Sequence, residues 1–171
     1  FEFKGFFITP GIRSDHLVRS RETTLDMRGL AGYKFETNTT VAVSGGIYSS
    51  FAQTNAYRFN QASRREARVV TADNLRSEKA LHRSVALEQE FGLHVFKVEG
   101  FYNNLYDMVQ STSSADQAQG IFYANTGGVL ARGVEVSYRK SLQENEDGYF
   151  GWVSYTYTRA DVSGIAGDFP F

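Results

Sequence analysis

No cysteine occurs in this chain, and that absence removes disulfide staples, thiolate metal sites and cysteine nucleophiles together. Proline is almost missing as well, at 2 residues, which leans towards β structure. No apolar run approaches the roughly 18 residues that a transmembrane helix needs. A transmembrane β-barrel escapes that exclusion, because its strands alternate apolar and polar residues and give only a weak hydropathy signal. Net charge is scarce too. With 18 basic and 19 acidic residues the formal charge is −1, so no global field gathers nucleic acid. The opening "FEFKGFF" alternates from the start and does not read as a signal peptide, so the chain reads as mature protein or, the favoured reading, an excised piece of a longer one.

Aromatics and glycine are what the sequence has in quantity. Aromatics make up 15% of the residues, with 14 Phe and 10 Tyr beside 16 Gly, a composition that favours strands joined by turns. Alternation follows along most of the chain. In "LDMRGLAGYKF", Leu25, Met27, Gly29, Ala31, Tyr33 and Phe35 share one side of a strand, and Asp26, Arg28 and Lys34 the other, Leu30 excepted. In "TVAVSGGIYSSF", Val41, Val43, Gly45 and Ile47 oppose Thr40, Ala42, Ser44 and Gly46. In "LHRSVALEQEF", Leu81, Val85, Leu87 and Phe91 oppose His82, Ser84, Glu88 and Glu90, with Arg83 breaking the apolar side. "HVFKVEGFYNNLYDMV" sets Phe96, Val98, Gly100 and Tyr102 against Lys97, Glu99 and Asn103. "ARGVEVSYRK" sets Val134, Val136 and Tyr138 against Gly133, Glu135, Ser137 and Arg139, and Arg132 is awkward on the apolar parity. A bulge at Gly133 would re-aim it; alternatively Arg132 sits above the membrane. "YFGWVSYTYTR" places Val153, Tyr155 and Tyr157 opposite Ser154, Thr156 and Thr158.

Several of these stretches exceed the typical globular strand of about 5–6 residues and match the roughly 9–11 residues that cross a bilayer. "FETNT" (35–39) and "EFGL" (90–93) read as tight turns, whereas 52–76 and "STSSADQAQG" (111–120) read as long polar connections. Short turns on one side and long loops on the other are the asymmetry of an up-and-down outer-membrane barrel. Aromatics gather towards the strand ends, where interface girdles sit. The expected fold is therefore all-β, an antiparallel up-and-down transmembrane β-barrel. The chain supplies about seven or eight of its strands, counted at the spanning length of about 9–11 residues. The closing "SGIAGDFPF" reads as a loop, with Gly164, Gly167, Asp168 and Pro170.

Nothing points to catalysis. His16, His82 and His94 lack metal-ligand spacing, and neither a phosphate-binding glycine loop nor a nucleophile elbow is present. No metal, cofactor or enzyme activity is expected. The long connection carries Arg58, Arg64, Arg65, Arg68 and Arg76 against Glu66 and Asp73. Such a basic outer loop suits an anionic ligand, but equally lipopolysaccharide phosphates or plain solvation. Glu135 and Arg139 on the polar parity read as lumen-wall residues, with Glu135 paired to a basic residue on a neighbouring strand or on an inserted domain.

Four segments in order carry a family likeness: "ITPGIRSD" (8–15), "DNLRSEKALHRSVALEQEF" (73–91), "VFKVEGFYNNLYDMVQ" (95–110) and "YANTGGVLARGVEVSYRKS" (123–141), followed by "VSYTYTRA" (153–160). Together they resemble the β-barrel of TonB-dependent outer-membrane receptors. Where that family has a Glu-aliphatic-Gly triplet, this chain has Ser84-Val85-Ala86, while Gly133-Val134-Glu135 keeps the Gly-aliphatic-Glu form. The resemblance implies that residues 1–171 are part of one barrel domain of about 22 strands, with the plug domain absent from this chain. It also implies a Gram-negative outer-membrane location and active import of a scarce nutrient, foremost a ferric siderophore. The implied partners are that ligand, TonB acting through the plug, and outer-membrane lipid and lipopolysaccharide. Two other readings are a small complete barrel acting as adhesin or anchor, and a soluble carbohydrate-binding β-sandwich.

Overall fold

The computed structural model describes residues 2–18, 21–52, 75–113, 123–142 and 148–164. A short β1 (Glu2–Phe3) leads into seven long strands: β2 (Phe6–Leu17), β3 (Glu22–Lys34), β4 (Thr39–Ser50), β5 (Glu78–Phe91), β6 (His94–Ser111), β7 (Tyr123–Lys140) and β8 (Gly151–Ser163). Each pairs antiparallel with its chain neighbours, giving one open sheet in the order β1 to β8. Among the described residues β8 pairs with β7 alone, and every residue of β8 is exposed. The sheet neither closes into a small barrel nor stacks on a second one.

The reversals show how local sequence sets the hairpins. Asn38 takes a left-handed φ of 59° between β3 and β4, and Gly92 one of 58° between β5 and β6, the conformation that Asn and Gly adopt most readily. Both tight turns lie at one end of the sheet, as the sequence implies. At the other end the connection after β4 is long, but only four residues separate β2 from β3, with Arg21 at φ 53°. The alternation of long and short connections is thus less regular than the sequence suggests. Register between β7 and its neighbours β6 and β8 runs without a break through Gly133. No bulge re-aims Arg132, which stays on the apolar parity. The ladder irregularity lies instead between Leu105 and Val109, around Asp107 at φ 55°.

Register decides which side chains share a face, because directly paired residues point the same way. One row crosses seven strands as Phe6, Tyr33, Val41, Leu87, Val98, Val136 and Tyr155. The next row reads Ile8, Ala31, Val43, Val85, Gly100, Val134 and Tyr157. Neither row contains a charge. The opposite face has rows such as Lys34, Thr40, Glu88, Lys97, Ser137 and Ser154.

The apolar face is open to its surroundings: Ile12 is 69% exposed, Val85 53% and Tyr155 69%. By contrast, the buried hydrophobics among the described residues are only Ala52 and Leu75, packed with Leu17, Val109 and Tyr123 at the long-connection end. A soluble monomer rarely exposes an apolar patch beyond a few hundred Å², and this one spans seven strands. It requires a hydrocarbon solvent. Polar residues then line the interior, which is the arrangement of a transmembrane barrel wall.

Two glycines show how tightly the polar face is built. A Cβ on Gly133 would overlap the Tyr157 carbonyl oxygen and approach Phe101 Cζ to 2.7 Å. One on Gly32 would collide with the Phe7 ring and come within 2.7 Å of the Val41 oxygen. Phe101 and Phe7 are the register partners of those glycines. In both places an aromatic ring covers a residue without a side chain.

Candidate functional site

The polar face is a wall of paired charges and hydroxyls. Near the tight turns Lys34 Nζ lies 3.2 Å from Glu90 Oε2, and Lys97 Nζ 2.6 Å from Glu99 Oε2. Glu88 stands beside Lys97 in register. Further along, the Ser44 and Ser84 hydroxyls meet at 2.8 Å. Arg28, Tyr48 and His82 flank a depression of about 350 Å³ on the same face. Pairs of this kind are partly exposed and each contributes little stability. Their effect is to keep the wall wettable and studded with donors and acceptors.

At the long-connection end, carboxylates hold the backbone. Glu22 accepts hydrogen bonds from the Ser77 amide at 3.0 Å and the Ser77 hydroxyl at 2.7 Å, and Ser77 is fully buried. Asp26, also buried, accepts the Ser49 amide at 3.0 Å through Oδ2, while its Oδ1 has no partner. Asn125 donates to the carbonyls of Arg76 and Asp107 and accepts the Arg76 amide at 2.8 Å. These clamps fix the return of the chain into β5 and the bent part of β6.

Of the residues singled out in the sequence, Arg58, Arg64, Arg65 and Arg68 lie outside the described residues. Glu135 and Arg139 both fall on the polar face of β7. Glu135 stands between Glu99 and Thr156, whose hydroxyl donates to it at 3.4 Å. Arg139 is exposed, between Val95 and Trp152 in register. The two are four residues apart, about 13 Å along a strand, and do not pair. Neither has an ion pair among the described residues. No group of three potential metal-ligating side chains occurs among those residues either.

One set escaped the sequence reading. Arg83, Tyr102, Arg132 and Arg159 form a single row across β5 to β8 on the apolar face. Two members were visible as parity violations, Arg83 and Arg132, but only the register shows that they fall in line.

A seven-stranded wall, apolar outside and polar inside, defines an outer-membrane β-barrel protein of which this chain is a part. The family profile described as "TonB dependent receptor-like, beta-barrel" matches residues 1–170, and the chain belongs to that family. It is a family of outer-membrane receptors, not of enzymes. Among solved structures the chain is similar to the outer membrane transporter YddB from Escherichia coli, with a TM-score of 0.69 at 11% identity. The match covers 94% of this chain and 23% of that one. The chain therefore spans about a quarter of the length of that transporter. No curated protein sequence matches it.

Proposed function

We propose that the chain forms part of the barrel wall of an active importer, powered by TonB through a plug domain seated against the polar face. The cargo we assign is a ferric siderophore. The observation that carries the import reading is the wall itself. Its polar face belongs to a receptor-barrel family and presents mixed charges, Lys34, Glu88, Glu90, Lys97, Glu99, Glu135 and Arg139, to whatever fills the lumen. Glu135 has Glu99 and Thr156 as its register partners and no ion pair among the described residues, and it is offered to a cationic group of the plug. Arg139, at the tight-turn end, is offered to an anionic one. The siderophore assignment draws on the basic composition around Arg58, Arg64, Arg65 and Arg68, which suits an anionic chelate. Transport needs no covalent step, only ligand affinities that differ between plug states.

The test is uptake by iron-starved cells expressing the whole receptor, with and without a functional TonB. Radioiron accumulation from a ferric siderophore panel that requires TonB is the expected result. TonB-dependent uptake of cobalamin, haem or an oligosaccharide, with no siderophore taken up, would replace the cargo. Uptake indifferent to TonB would overturn the import mechanism. Replacing Arg58, Arg64, Arg65 and Arg68 by Gln is expected to weaken siderophore binding about tenfold or more at low salt.

A further inference from the structure

The rim at the tight-turn end is densely bonded. Between β3 and β4 the Phe35 amide donates to the Thr39 carbonyl at 2.8 Å, and the Asn38 amide to the Phe35 carbonyl at 3.1 Å. The neighbouring reversal is tied in as well. The Glu90 amide donates to the Asn38 carbonyl at 3.0 Å, and Gln89 Nε2 to the Thr37 carbonyl at 2.9 Å. Side chains complete the network: Thr37 with Thr39, Thr39 with Gln89, and Lys34 with Glu90.

Three side chains on this rim stand outside it. Glu36, Asn38 and Thr40 make no side-chain hydrogen bond or ion pair among the described residues, and Glu36 and Asn38 are exposed. Asn38 holds the turn through its backbone, at φ 59°, a conformation that glycine adopts without cost. Its side-chain amide is therefore surplus to the fold.

The spacing of these free groups is chemically specific. Asn38-Thr39-Thr40 is an Asn-x-Thr triplet without proline at the middle position, the acceptor pattern of N-linked glycosylation. No other asparagine in the sequence has Ser or Thr two places later. The amide and the hydroxyl that define the triplet are the two groups left unengaged on the rim. Short turns of an outer-membrane barrel face the periplasm, the compartment where a lipid-carried sugar meets an exported chain. Glu36 adds a free carboxylate two residues before the asparagine.

We propose that Asn38 is an N-glycosylation site, carrying an oligosaccharide transferred from a lipid pyrophosphate donor. Asn38 Nδ2 attacks C1 of the first sugar and gives up one proton to a base of the transferase. The C1–O bond to the pyrophosphate breaks, and the lipid pyrophosphate leaves with the bonding pair. Thr40 is paired with Lys34 and Glu88 in the finished sheet, so the transfer precedes the closing of this hairpin. Exposure at the turn tip then leaves the sugar in water, where a bulky polar group is accommodated. The inference rests on the periplasmic facing of the tight turns and is independent of the cargo.

The experiment takes the whole receptor from the outer membrane of the cells that natively make it and sequences its Asn38 peptide by mass spectrometry. An oligosaccharide mass on Asn38 is the expected result. A peptide found only unmodified overturns the inference and leaves Asn38 a turn residue alone. Two variants locate the sugar. Asn38→Gly keeps the left-handed turn and Thr40→Val keeps a β-branched strand residue. Each should reach the outer membrane at the unmutated level and lack the added mass. Added mass that survives in either variant overturns the inference, and the unmutated peptide decides it even where one variant fails to insert.

Discussion

Replacing Val136 by Arg puts a charge where the structure has its least polar surroundings. Val136 lies between Val98 and Tyr155 in register, with Tyr138 and Val134 before and after it on the same face. Along β7 the bordering charges on that face are Lys140 and Arg132, each four residues away. Four residues are about 13 Å of strand, or about 10 Å of depth at a tilt of roughly 40°. Val136 is thus near the middle of an apolar band about 25 Å tall, where an outward Arg costs about 2–4 kcal/mol. Ser137→Arg reverses the face. Its neighbours become Lys97 and Ser154, in water, and the like charge of Lys97 adds only a few tenths of a kcal/mol. Denaturant unfolding of the whole receptor in lipid vesicles should separate the two variants by about 2 kcal/mol, near thirtyfold in the equilibrium constant. Equal costs, or a larger cost at Ser137, would refute the facing of the entire sheet, because register ties each row to this one.

Gly133→Ala should cost about 1–3 kcal/mol in the same assay, since the new methyl meets the Tyr157 carbonyl of β8 as well as Phe101; adding Phe101→Ala should restore only part. Glu22→Ala removes the acceptor of a buried amide and hydroxyl, and hydrogen exchange should show the Ser77 amide deprotected while β6 and β7 keep their protection. An unchanged Ser77 rate would mean that Glu22 is not its clamp. Asp26→Asn keeps an acceptor for the Ser49 amide while removing a buried charge with an unpartnered oxygen. We expect a change within about 1 kcal/mol of zero, and a loss of several kcal/mol would reveal a cation held there.

Much of the sheet was readable from the residues. Alternation from Leu25 to Phe35 fell inside or just beyond β3, and that from His94 to Val109 inside β6. The reason is physical: with lipid on one side and water on the other, every strand repeats the same two-residue code. What a single strand cannot encode is its alignment with the next. Arg83 looked like noise in β5 and Arg132 like a misfit in β7. Their coincidence with Tyr102 and Arg159 depends on where the reversals around Gly92, after Ser111 and after Lys140 set the register. The ring of Phe101 over Gly133 was hidden for the same reason, being a contact between residues 32 positions apart. The clamps made by Glu22 and Asn125 were equally invisible, because any exposed carboxylate or amide on a strand end reads the same until its backbone partner arrives from elsewhere.

The slanting edge of the apolar face has a consequence for anyone mapping substitutions onto this protein. Apolar residues continue past the arginine row without a charge on β2 and β3, to Ile12 and Leu25, but on β8 they stop short of it at Tyr157, with Arg159 and Asp161 following. Strands about 4.8 Å apart and tilted by roughly 40° raise each successive position in a row by about 3 Å, which is the sense of that slant. Hydrogen-bonded neighbours are therefore not isobaths. Pro10 and Arg159 belong to one row yet sit at different levels, the first in acyl chains and the second among headgroups. A mutational scan laid out strand by strand would scatter, whereas the same data sheared by about 3 Å per strand should collapse onto a single profile of cost against height.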